Sequence, residues 1–287
     1  MKIIKPSVQF FGAVPTDYDG AIRFIEMAGR TCYKSEDKIT PDSAEKFVRK
    51  LISAGHLAMV EHSNFVIHNT LEVENLYEIK CRVGKYLNIF YKKNKYFIGG
   101  SLTAWYQAAE KVNWGSAIFD PFRDIYGNLF KVSENICTER LWKICPHDEI
   151  PLSLHRYSAK FICDRGISHE LVRHRPCSFA QESTRYVNYG KKNMEFIEPI
   201  GYEDWHFDAK FNFQFQCEES EYRYNNLLRY LTPQQARAVL PNALKTEIIV
   251  TADAAEWTHI KRLRTAAASH PDMQRIMNMM PWEEFLC

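Results

Sequence analysis

Three arginines, a histidine and a serine lie close together in the stretch RHRPCSFAQESTRY, which begins at Arg173. Arg173, His174 and Arg175 are adjacent, seven residues separate Arg175 from Ser183, and Arg185 follows. Like charges about 6 Å apart repel by roughly 2–3 kcal/mol at an effective dielectric near 20. In a cleft an anionic ligand relieves this repulsion, and arginine binds phosphate through a planar, bidentate contact. The stretch therefore predicts a site for a flat, phosphorylated ligand such as a nucleotide. The alternative is a solvated basic helix end.

Local patterns predict the elements that hold this stretch. Strand patterns precede it in LSLHRYSAKFICD and follow it in MEFIEP and ALKTEIIVTA. GISHELVRHRP predicts a short helix that is capped by Ser168 and stops before Pro176. Residues 208–231 predict a long amphipathic helix, and further helices are expected from Asp253 onward. Arg173 and its neighbours thus lie at a helix end, from which they fan around an extended ligand.

The first half of the chain mixes strand and helix patterns. IIKPSVQFFGAV predicts an opening strand, and AIRFIEMAGRTCY has helical spacing. TPDSAEKFVRKLISAGH predicts a helix capped by Thr40 and ended by Gly55. NFVIHNTLEV predicts a strand, and SLTAWYQAAEKV a helix capped by Ser101. Together these elements predict one α+β domain over residues 1–287, with an elaborated segment at about 75–150.

Composition and charge exclude several classes of protein. Apolar residues make up 46% of the chain and charged residues 25%, as in globular proteins. The net charge of +2 is too small for a protein that binds nucleic acid through a broad basic surface. No apolar run approaches the ~20 residues that span a membrane, and the N-terminus lacks the pattern of a signal peptide. The eight cysteines have no C-x-x-C spacing, so we expect no metal site, reduced thiols and a cytoplasmic location.

Several segments support a more specific interpretation. Arg-His-Arg, seven residues and then Ser183 form part of a 14-residue pattern with many fixed positions. GHLAMVEH (55–62), ARAVLPNALKTE (236–247) and EWTHIKRLRTAAASHP (256–271) accompany it. In this order the segments resemble the flavin-dependent thymidylate synthases, and the resemblance is weakest over about 75–150. It implies a central, mostly antiparallel twisted sheet flanked by helices.

The resemblance also implies a reaction. Enzymes of this family methylate dUMP at C5 of uracil, with carbon from methylenetetrahydrofolate and hydride from FAD that NADPH has reduced. They are typically homotetramers whose active sites are built by several subunits. The residues that the resemblance assigns to dUMP are Glu170, Arg173, Gln181, Glu182, Ser183, Arg185, Arg237 and Arg264. The residues that it assigns to FAD are His56, Glu61, Arg173, His174, Arg175, Gln181, Asp253 and His259.

The resemblance gives Arg264 the catalytic role, at N3 and O2 of uracil. Attack at C6 moves negative charge onto the N3–C4–O4 side of the ring and onto O2. A fixed guanidinium stabilises this charge without reorganising, and it favours the N3-ionised pyrimidine. His62, at the end of GHLAMVEH, is interpreted instead as a structural hydrogen-bonding residue.

The sequence departs from the family in two places. Ala180-Gln181 stands where the family often has Asn-Glu, and glutamine still donates and accepts hydrogen bonds. Asp253-Ala254-Ala255 stands where the family usually has Asn-Leu-Arg. The second change removes a cation from the flavin side and adds an anion. It predicts weaker FAD binding, or another basic residue in place of the lost arginine.

Three other patterns in the sequence suggest different mechanisms. Cys177 follows a proline, as in the thiol-dependent thymidylate synthases, and an arginine-rich setting would lower its pKa. Ser183 could act as a nucleophile with His174 as its base, although a purely ligand-binding hydroxyl is favoured. HELVRH resembles the zinc motif H-E-x-x-H, but His169 and His174 are five residues apart and the motif needs four.

Two further alternatives concern the product and the class of protein. The same fold and flavin could hydroxymethylate a pyrimidine nucleotide instead of methylating it. A non-enzymatic RNA-binding module would use Phe179, Tyr186 and Tyr189 to stack bases between the basic residues. The low net charge argues against this second alternative.

Overall fold

The structure is a computed structural model that describes residues 1–69, 81, 83–84, 87–112, 117–132, 142–191 and 194–286. Residues 70–73 of the strand predicted from NFVIHNTLEV lie outside this part. The described strands are β1 (Lys2–Ile4), β2 (Ser7–Ala13), β3 (Phe65–Asn69), β4 (Asn88–Lys92), β5 (Lys95–Gly100), β6 (Lys143–Ile144), β7 (Arg156–Asp164), β8 (Ser178–Gln181), β9 (Glu195–Ile197) and β10 (Lys245–Asp253). The helices used below are α1 (Tyr18–Tyr33), α2 (Ser43–Ser53), α3 (Leu57–Val60), α4 (Leu102–Val112), α5 (Asp120–Phe130), α6 (Arg165–Leu171), α7 (Phe207–Leu227), α8 (Pro233–Ala236), α9 (Ala254–Arg264) and α10 (Pro271–Met277).

A four-stranded antiparallel sheet in the order β2-β7-β10-β8 carries the sequence motif. Strand β10 is buried along almost its whole length, because both faces of the sheet are covered. On one face Ile248 and Val250 pack with Trp257 of α9 and Met273 of α10. On the other face Ile249 packs with α1. The alternation of these neighbours is the two-residue period of a strand.

A second four-stranded sheet, in the order β4-β5-β3-β6, combines β3 with three strands from the predicted segment at about 75–150. Lys93 and Asn94 join β4 to β5 with positive φ angles of 51° and 57°, as a two-residue hairpin turn requires. Helices α4 and α5 bury an aromatic cluster against this sheet, and Nε1 of Trp105 donates to the carbonyl of Phe65 (2.8 Å). A short parallel pair, β1 with β9, completes the strands. The predicted α+β class with mostly antiparallel sheets is therefore confirmed.

Two predicted caps are confirmed. Oγ of Ser101 accepts from the N–H of Ala104 (3.1 Å) at the start of α4. Gly55, just beyond α2, has a φ of +72°, which a side chain would oppose. Helix α1 and the strands β7, β9 and β10 also lie where their patterns place them.

Several boundaries differ from the sequence prediction. The opening strand is divided at Pro6, which has no N–H to donate, and β1 and β2 belong to different sheets. Helix α2 begins at Ser43 and not after Thr40, because Oγ of Ser43 accepts from the backbone N–H of Thr40 (2.9 Å). Helix α6 is capped by Asp164, which accepts from the N–H of Ile167 (2.8 Å), and not by Ser168.

Helix α7 is not amphipathic as predicted. Phe207, Phe211 and Phe215 are exposed at 74%, 56% and 56%, and they stack on one another along the helix. Cys217 and Tyr224 are buried on the opposite side. Aromatic side chains thus lie on two faces of α7. Among the described helices, none combines the length and the apolar character needed to span a bilayer.

Candidate active site

The site is built where α9, which follows β10, packs against the turn after α6. Nε of Arg264, the last residue of α9, donates to Nε2 of His174 (3.0 Å). Its other nitrogens donate to Glu170: Nη1 to the carboxylate (2.7 Å) and Nη2 to the backbone carbonyl (2.9 Å). The fold therefore brings together three predicted site residues that are up to 94 residues apart in the chain.

Glu256 fixes the orientation of the His174 ring. The carboxylate of Glu256 lies 3.1 Å from Nδ1 of His174, on the opposite side of the ring from Arg264. Because Arg264 can only donate, Nε2 of His174 must be the unprotonated nitrogen, and Nδ1–H donates to Glu256. Burial lowers the pKa of His174, and Arg264 lowers it further, whereas the hydrogen bond to Glu256 raises it. The ring is thus held neutral and in one tautomer.

His174 has no ring nitrogen left to activate Ser183, since both nitrogens are already engaged. Oγ of Ser183 instead accepts from the backbone N–H of Arg185 (3.3 Å). This geometry argues against a Ser183–His174 nucleophile pair.

His174, Glu256 and His259 also form a group whose potential ligand atoms lie within 4.8 Å of one another. The guanidinium of Arg264 lies against this group, and its positive charge opposes the entry of a metal cation. His169 of the zinc-like pattern HELVRH is exposed and does not belong to the group.

A polar cavity of about 390 Å³ lies on the other side of the motif, between β7, β10 and the middle segment. Glu61, Arg175 and Asp253, three of the residues predicted to contact FAD, line it together. Asn64 also lines it, and the buried Oδ1 of Asn64 has no hydrogen-bond partner within the described part of the chain. An acceptor in this position fits a donor group of a bound ligand.

Arg156 is a second cation in the wall of the polar cavity. Its guanidinium donates to the backbone carbonyls of Glu61 and Ser63 (2.5 and 2.8 Å) and to Oγ of Ser178 (2.9 Å). Burial lowers the pKa of Arg156, while the charges of Glu61 and Asp253 raise it. The sequence predicted that another basic residue would replace the missing arginine, and Arg156 lies where it can offset the negative charge of Asp253.

The carboxylate of Asp253 has a structural partner. It accepts from the backbone N–H of Glu256 (2.8 Å) and so caps the N-terminus of α9. The added anion is therefore partly balanced by the helix that it caps.

Cys177 lines the same cavity, but its environment contradicts the expected reactivity. The residue is buried, and burial raises the pKa of its thiol, with Glu256 adding to the rise, although Arg156 opposes it. The expectation that nearby arginines would lower this pKa is wrong, because the loss of hydration outweighs their attraction. A thiol held protonated is a poor nucleophile, so the structure does not support the thiol mechanism.

The turn after β8 is held by the side chains of Gln181 and Glu182. Nε2 of Gln181 donates to Oγ of Ser168 (2.8 Å) and to Oγ1 of Thr246 (3.2 Å). The carboxylate of Glu182 accepts from the hydroxyl of Tyr189 (2.8 Å) and from Lys245 (3.2 Å). These contacts fix the turn from which the neighbouring arginines project.

Glu247 lies beside this turn, between Lys245 (2.7 Å) and Lys34 (2.6 Å). Burial alone would raise the pKa of Glu247, but the hydrogen bonds from the two lysines outweigh it and hold the pKa at about 2. Glu247 is thus charged at neutral pH, as are Lys245 and Lys34, whose pKa values are raised.

Two further predicted residues, Arg237 and Arg185, lie at the same turn. Nη1 of Arg237, just after α8, donates to Oγ1 of Thr184 (3.2 Å), so the two distant segments do meet. Arg185 is exposed, with its guanidinium 5.3 Å from the ring of Tyr186. Arg173 is exposed at the end of α6.

His56 and His62 lie in different environments. His56 is exposed, next to Tyr186 in a separate cavity between α1 and α2. His62 is buried, its Nδ1 lies 2.8 Å from Oγ1 of Thr251, and burial lowers its pKa to about 3. A neutral ring bonded to a central strand agrees with the structural interpretation of His62.

The family model of the thymidylate synthase complementing protein matches residues 139–285, just over half of the chain. The chain belongs to this family. The match includes α6, the motif, β10 and α9, which are the elements that carry the site.

Relatives extend the match toward the N-terminus. The flavin-dependent thymidylate synthase of Corynebacterium glutamicum is 24% identical over 279 residues, covering 90% of this chain and 72% of the relative. That of Mycobacterium tuberculosis is 23% identical over 277 residues, with the same coverage. Members of the family are flavin-dependent thymidylate synthases, so this chain is an enzyme. Among solved structures, the UMP/dUMP methylase PolB from Streptomyces cacaoi, bound with 5-Br dUMP, aligns with a TM-score of 0.44 and 15% identity, covering 100% of this chain and 93% of PolB.

Two residues of this candidate site were missed from the sequence. Glu256 stands three positions after Asp253, a spacing typical of a capping box, so its signal indicated only a helix start. Arg156 lies within the strand pattern LSLHRYSAKFICD, where a single charge predicts an exposed residue. The hydrogen-bond partners of Glu256 and Arg156 are distant in the chain, so no local sequence pattern indicates these contacts.

Proposed function

We propose that this enzyme converts dUMP to dTMP, using methylenetetrahydrofolate as the carbon donor and FAD reduced by NADPH. The observation that carries the proposal is the hydrogen bond from Arg264 to His174 of the Arg-His-Arg motif, supported by Glu170. It joins the residue proposed for catalysis to the family's signature in a single network.

Arg264 is prepared for a uracil ring. Three of its five N–H donors are used by His174 and Glu170, so two remain to face a substrate. The carboxylate of Glu170 and the ring of His174 prevent the guanidinium from turning. A guanidinium that is fixed in advance stabilises developing negative charge without a cost of reorganisation.

The turn after β8 supplies the groups for the nucleotide phosphate. Arg185 belongs to this turn, Arg237 donates to Thr184 in it, and Ser183 adds a hydroxyl. Arginine forks and a hydroxyl suit a phosphate monoester. Arg173, at the end of α6, extends this positive surface toward His174.

The polar cavity suits FAD. Arg175 offers a cation for phosphate, Arg156 offsets the charge of Asp253, and Asn64 offers an acceptor that has no partner within the described residues. When bound, FAD supplies the hydride for the reaction. The adjoining segment 99–104, in the middle region that the family resemblance covers least, provides further hydroxyl and backbone groups to this wall.

A homotetramer accounts for the exposed face of α7. Phe207, Phe211 and Phe215 form a stacked row that is exposed to solvent in a monomer. Each large apolar side chain removed from water contributes about 1.5–3 kcal/mol. We propose that copies of the chain bury this row and thereby complete shared active sites.

One reaction mixture tests the proposed function. The purified enzyme is incubated with dUMP, methylenetetrahydrofolate, FAD and NADPH, and the nucleotide is identified by mass spectrometry. The expected product is heavier than dUMP by one CH₂ and needs NADPH. A gain of CH₂O would select hydroxymethylation instead, and an unchanged nucleotide would contradict both. A parallel reaction with UMP defines the sugar specificity.

A further inference from the structure

A second large cavity lies between α1, α2 and the turn that holds Tyr186. It measures about 660 Å³. Lys46 and Lys50 of α2 are one helical turn apart and point into it, and Lys38 faces it from the preceding segment. Lysines at positions i and i+4 repel each other, so their convergence is a cost without an anion. We call this space the lysine cavity.

The positive charge of the lysine cavity is not neutralised locally. No carboxylate is among the described side chains that line it. Of the acidic residues nearest in sequence, Glu36 is paired with Lys34 (3.3 Å) and Glu45 with Arg49 (2.6 Å), whereas Asp37 and Asp42 do not line the cavity. The cavity therefore presents a field that attracts a ligand with several negative charges.

Arg30 also lines the lysine cavity, but its charge is used. It forms an ion pair with the buried Glu26 (3.0 Å), which also accepts from Oγ of Ser43 (2.8 Å), and its guanidinium stacks 4.4 Å from the ring of Phe47. The groups left for a ligand are thus flexible ammonium groups and not a guanidinium fork. Lysines bind anions as point charges on flexible stems, so separate lysines can follow anionic groups that are spread along a flexible chain.

The lysine cavity has an aromatic wall at the end nearest the motif. The rings of Tyr33 and Tyr186 lie 5.2 Å apart, and Tyr186 is 57% exposed. Tyr186 directly follows Arg185, and His56 borders the same space. A ligand here has a flat part against the tyrosines, next to the proposed nucleotide turn, and an anionic part along α2.

We propose that the lysine cavity binds the glutamyl carboxylates of the folate co-substrate. This inference rests on the proposed function, because that function supplies a ligand with a flat ring at one end and a flexible chain of carboxylates at the other. Lys38, Lys46 and Lys50 select for the length of this chain, since each added glutamate adds one carboxylate within reach of a lysine.

Direct binding tests the inference without turnover. Tetrahydrofolate with one or three glutamates is titrated into the FAD-loaded enzyme by calorimetry. Wild type is expected to bind the triglutamate more tightly, and less so as salt is added. The double variant Lys46→Gln/Lys50→Gln should bind the triglutamate on the order of 3- to 30-fold more weakly, with a much smaller change for the monoglutamate.

The matched control is Lys92→Gln/Lys111→Gln, which removes the same charge from exposed lysines outside the cavity. It should bind both ligands as wild type does. Equal binding of the two ligands by wild type, or equal losses for both in the variant, would overturn the inference and leave the proposed function standing. If Lys46→Gln/Lys50→Gln binds NADPH more weakly but both folates normally, the inference is wrong and the cavity is a dinucleotide site. Failure of wild type to bind either folate would contradict the proposed function itself.

Discussion

At the scale of single residues, the site depends on one imidazole that separates an arginine from a glutamate. Arg264 and Glu256 lie on opposite sides of His174, and each requires the same tautomer. Exchange of any one of the three therefore disturbs the other two. This coupling gives Arg264 its fixed position, and it makes the site sensitive to proton binding.

Replacement of Arg264 by lysine keeps the charge but removes the fork that holds Glu170 and His174. We expect kcat to fall on the order of 10²- to 10³-fold, the typical cost of losing one fixed donor to a developing anion. Initial rates of dTMP formation at saturating dUMP measure it. Arg229→Lys, at an exposed position without a role in the site, is the control. A similar kcat in both variants would contradict the catalytic role.

Acid should inactivate the enzyme through His174. Burial lowers the pKa of His174, so the ring is neutral at neutral pH, and it gains a proton only below the ordinary histidine range. The protonated ring cannot accept from Arg264, so kcat/KM for dUMP should fall at acid pH. In Glu256→Gln the carboxylate that raises this pKa is absent, and the fall should move to lower pH.

A pH profile of kcat/KM from about pH 5 to about pH 8 measures this shift. Glu283→Gln, at an exposed position on the C-terminal segment, is the control. An acid limb that stays in place in Glu256→Gln would show that His174 does not cause it.

At the scale of elements, the start of α9 links helix stability to cofactor binding. Asp253 closes β10, caps α9 and lines the polar cavity, so one carboxylate serves both the fold and the site. Its charge stabilises the helix N-terminus and repels an anionic cofactor. The two effects separate when the charge is removed but the capping group stays.

Asp253→Asn should preserve the cap and strengthen FAD binding, because asparagine caps as well as aspartate and carries no charge. Asp253→Ala should lower the free energy of unfolding by about 1 kcal/mol. FAD titration followed by fluorescence, and urea unfolding, measure the two effects. Salt-insensitive FAD binding that is the same in wild type and Asp253→Asn would contradict the electrostatic part.

At the scale of the whole molecule, α7 carries a row of exposed, stacked phenylalanine side chains on one face. The side chains of Phe207, Phe211 and Phe215 repeat every four residues and stack in parallel, which gives one continuous apolar stripe. A stripe of this kind indicates an interaction surface. Because the proposed active sites are shared, assembly and activity should fail together.

Phe211→Lys places a charge in the middle of this stripe and should dissociate the tetramer, with loss of dTMP formation. Light scattering after size-exclusion chromatography gives the mass. Tyr91→Lys, at an exposed aromatic residue of the β4–β5 hairpin, should leave the mass unchanged. A tetramer that persists in Phe211→Lys would show that the interface does not include this stripe.

The sequence by itself determined the elements with strong local patterns. The helical spacing in α1, the strand character of β7 and β10, and the Ser101 cap predicted these parts correctly, because local patterns and caps are properties of neighbouring residues. The order of the motif residues was enough to identify the family, and the resemblance assigned Arg264 and Glu170 to dUMP and His174 to FAD. The hydrogen bonds from Arg264 to Glu170 and His174 appeared only in the structure.

Only the tertiary structure decided how these residues act. Glu256 reaches His174 across 82 residues, and Arg156 and Cys177 have properties set by burial and not by their neighbours in sequence. Pro6 divided a pattern that read as one strand, because each half found its partner in a different sheet. Contacts, dielectric environment and tautomers arise when distant segments pack, and a linear pattern does not record them.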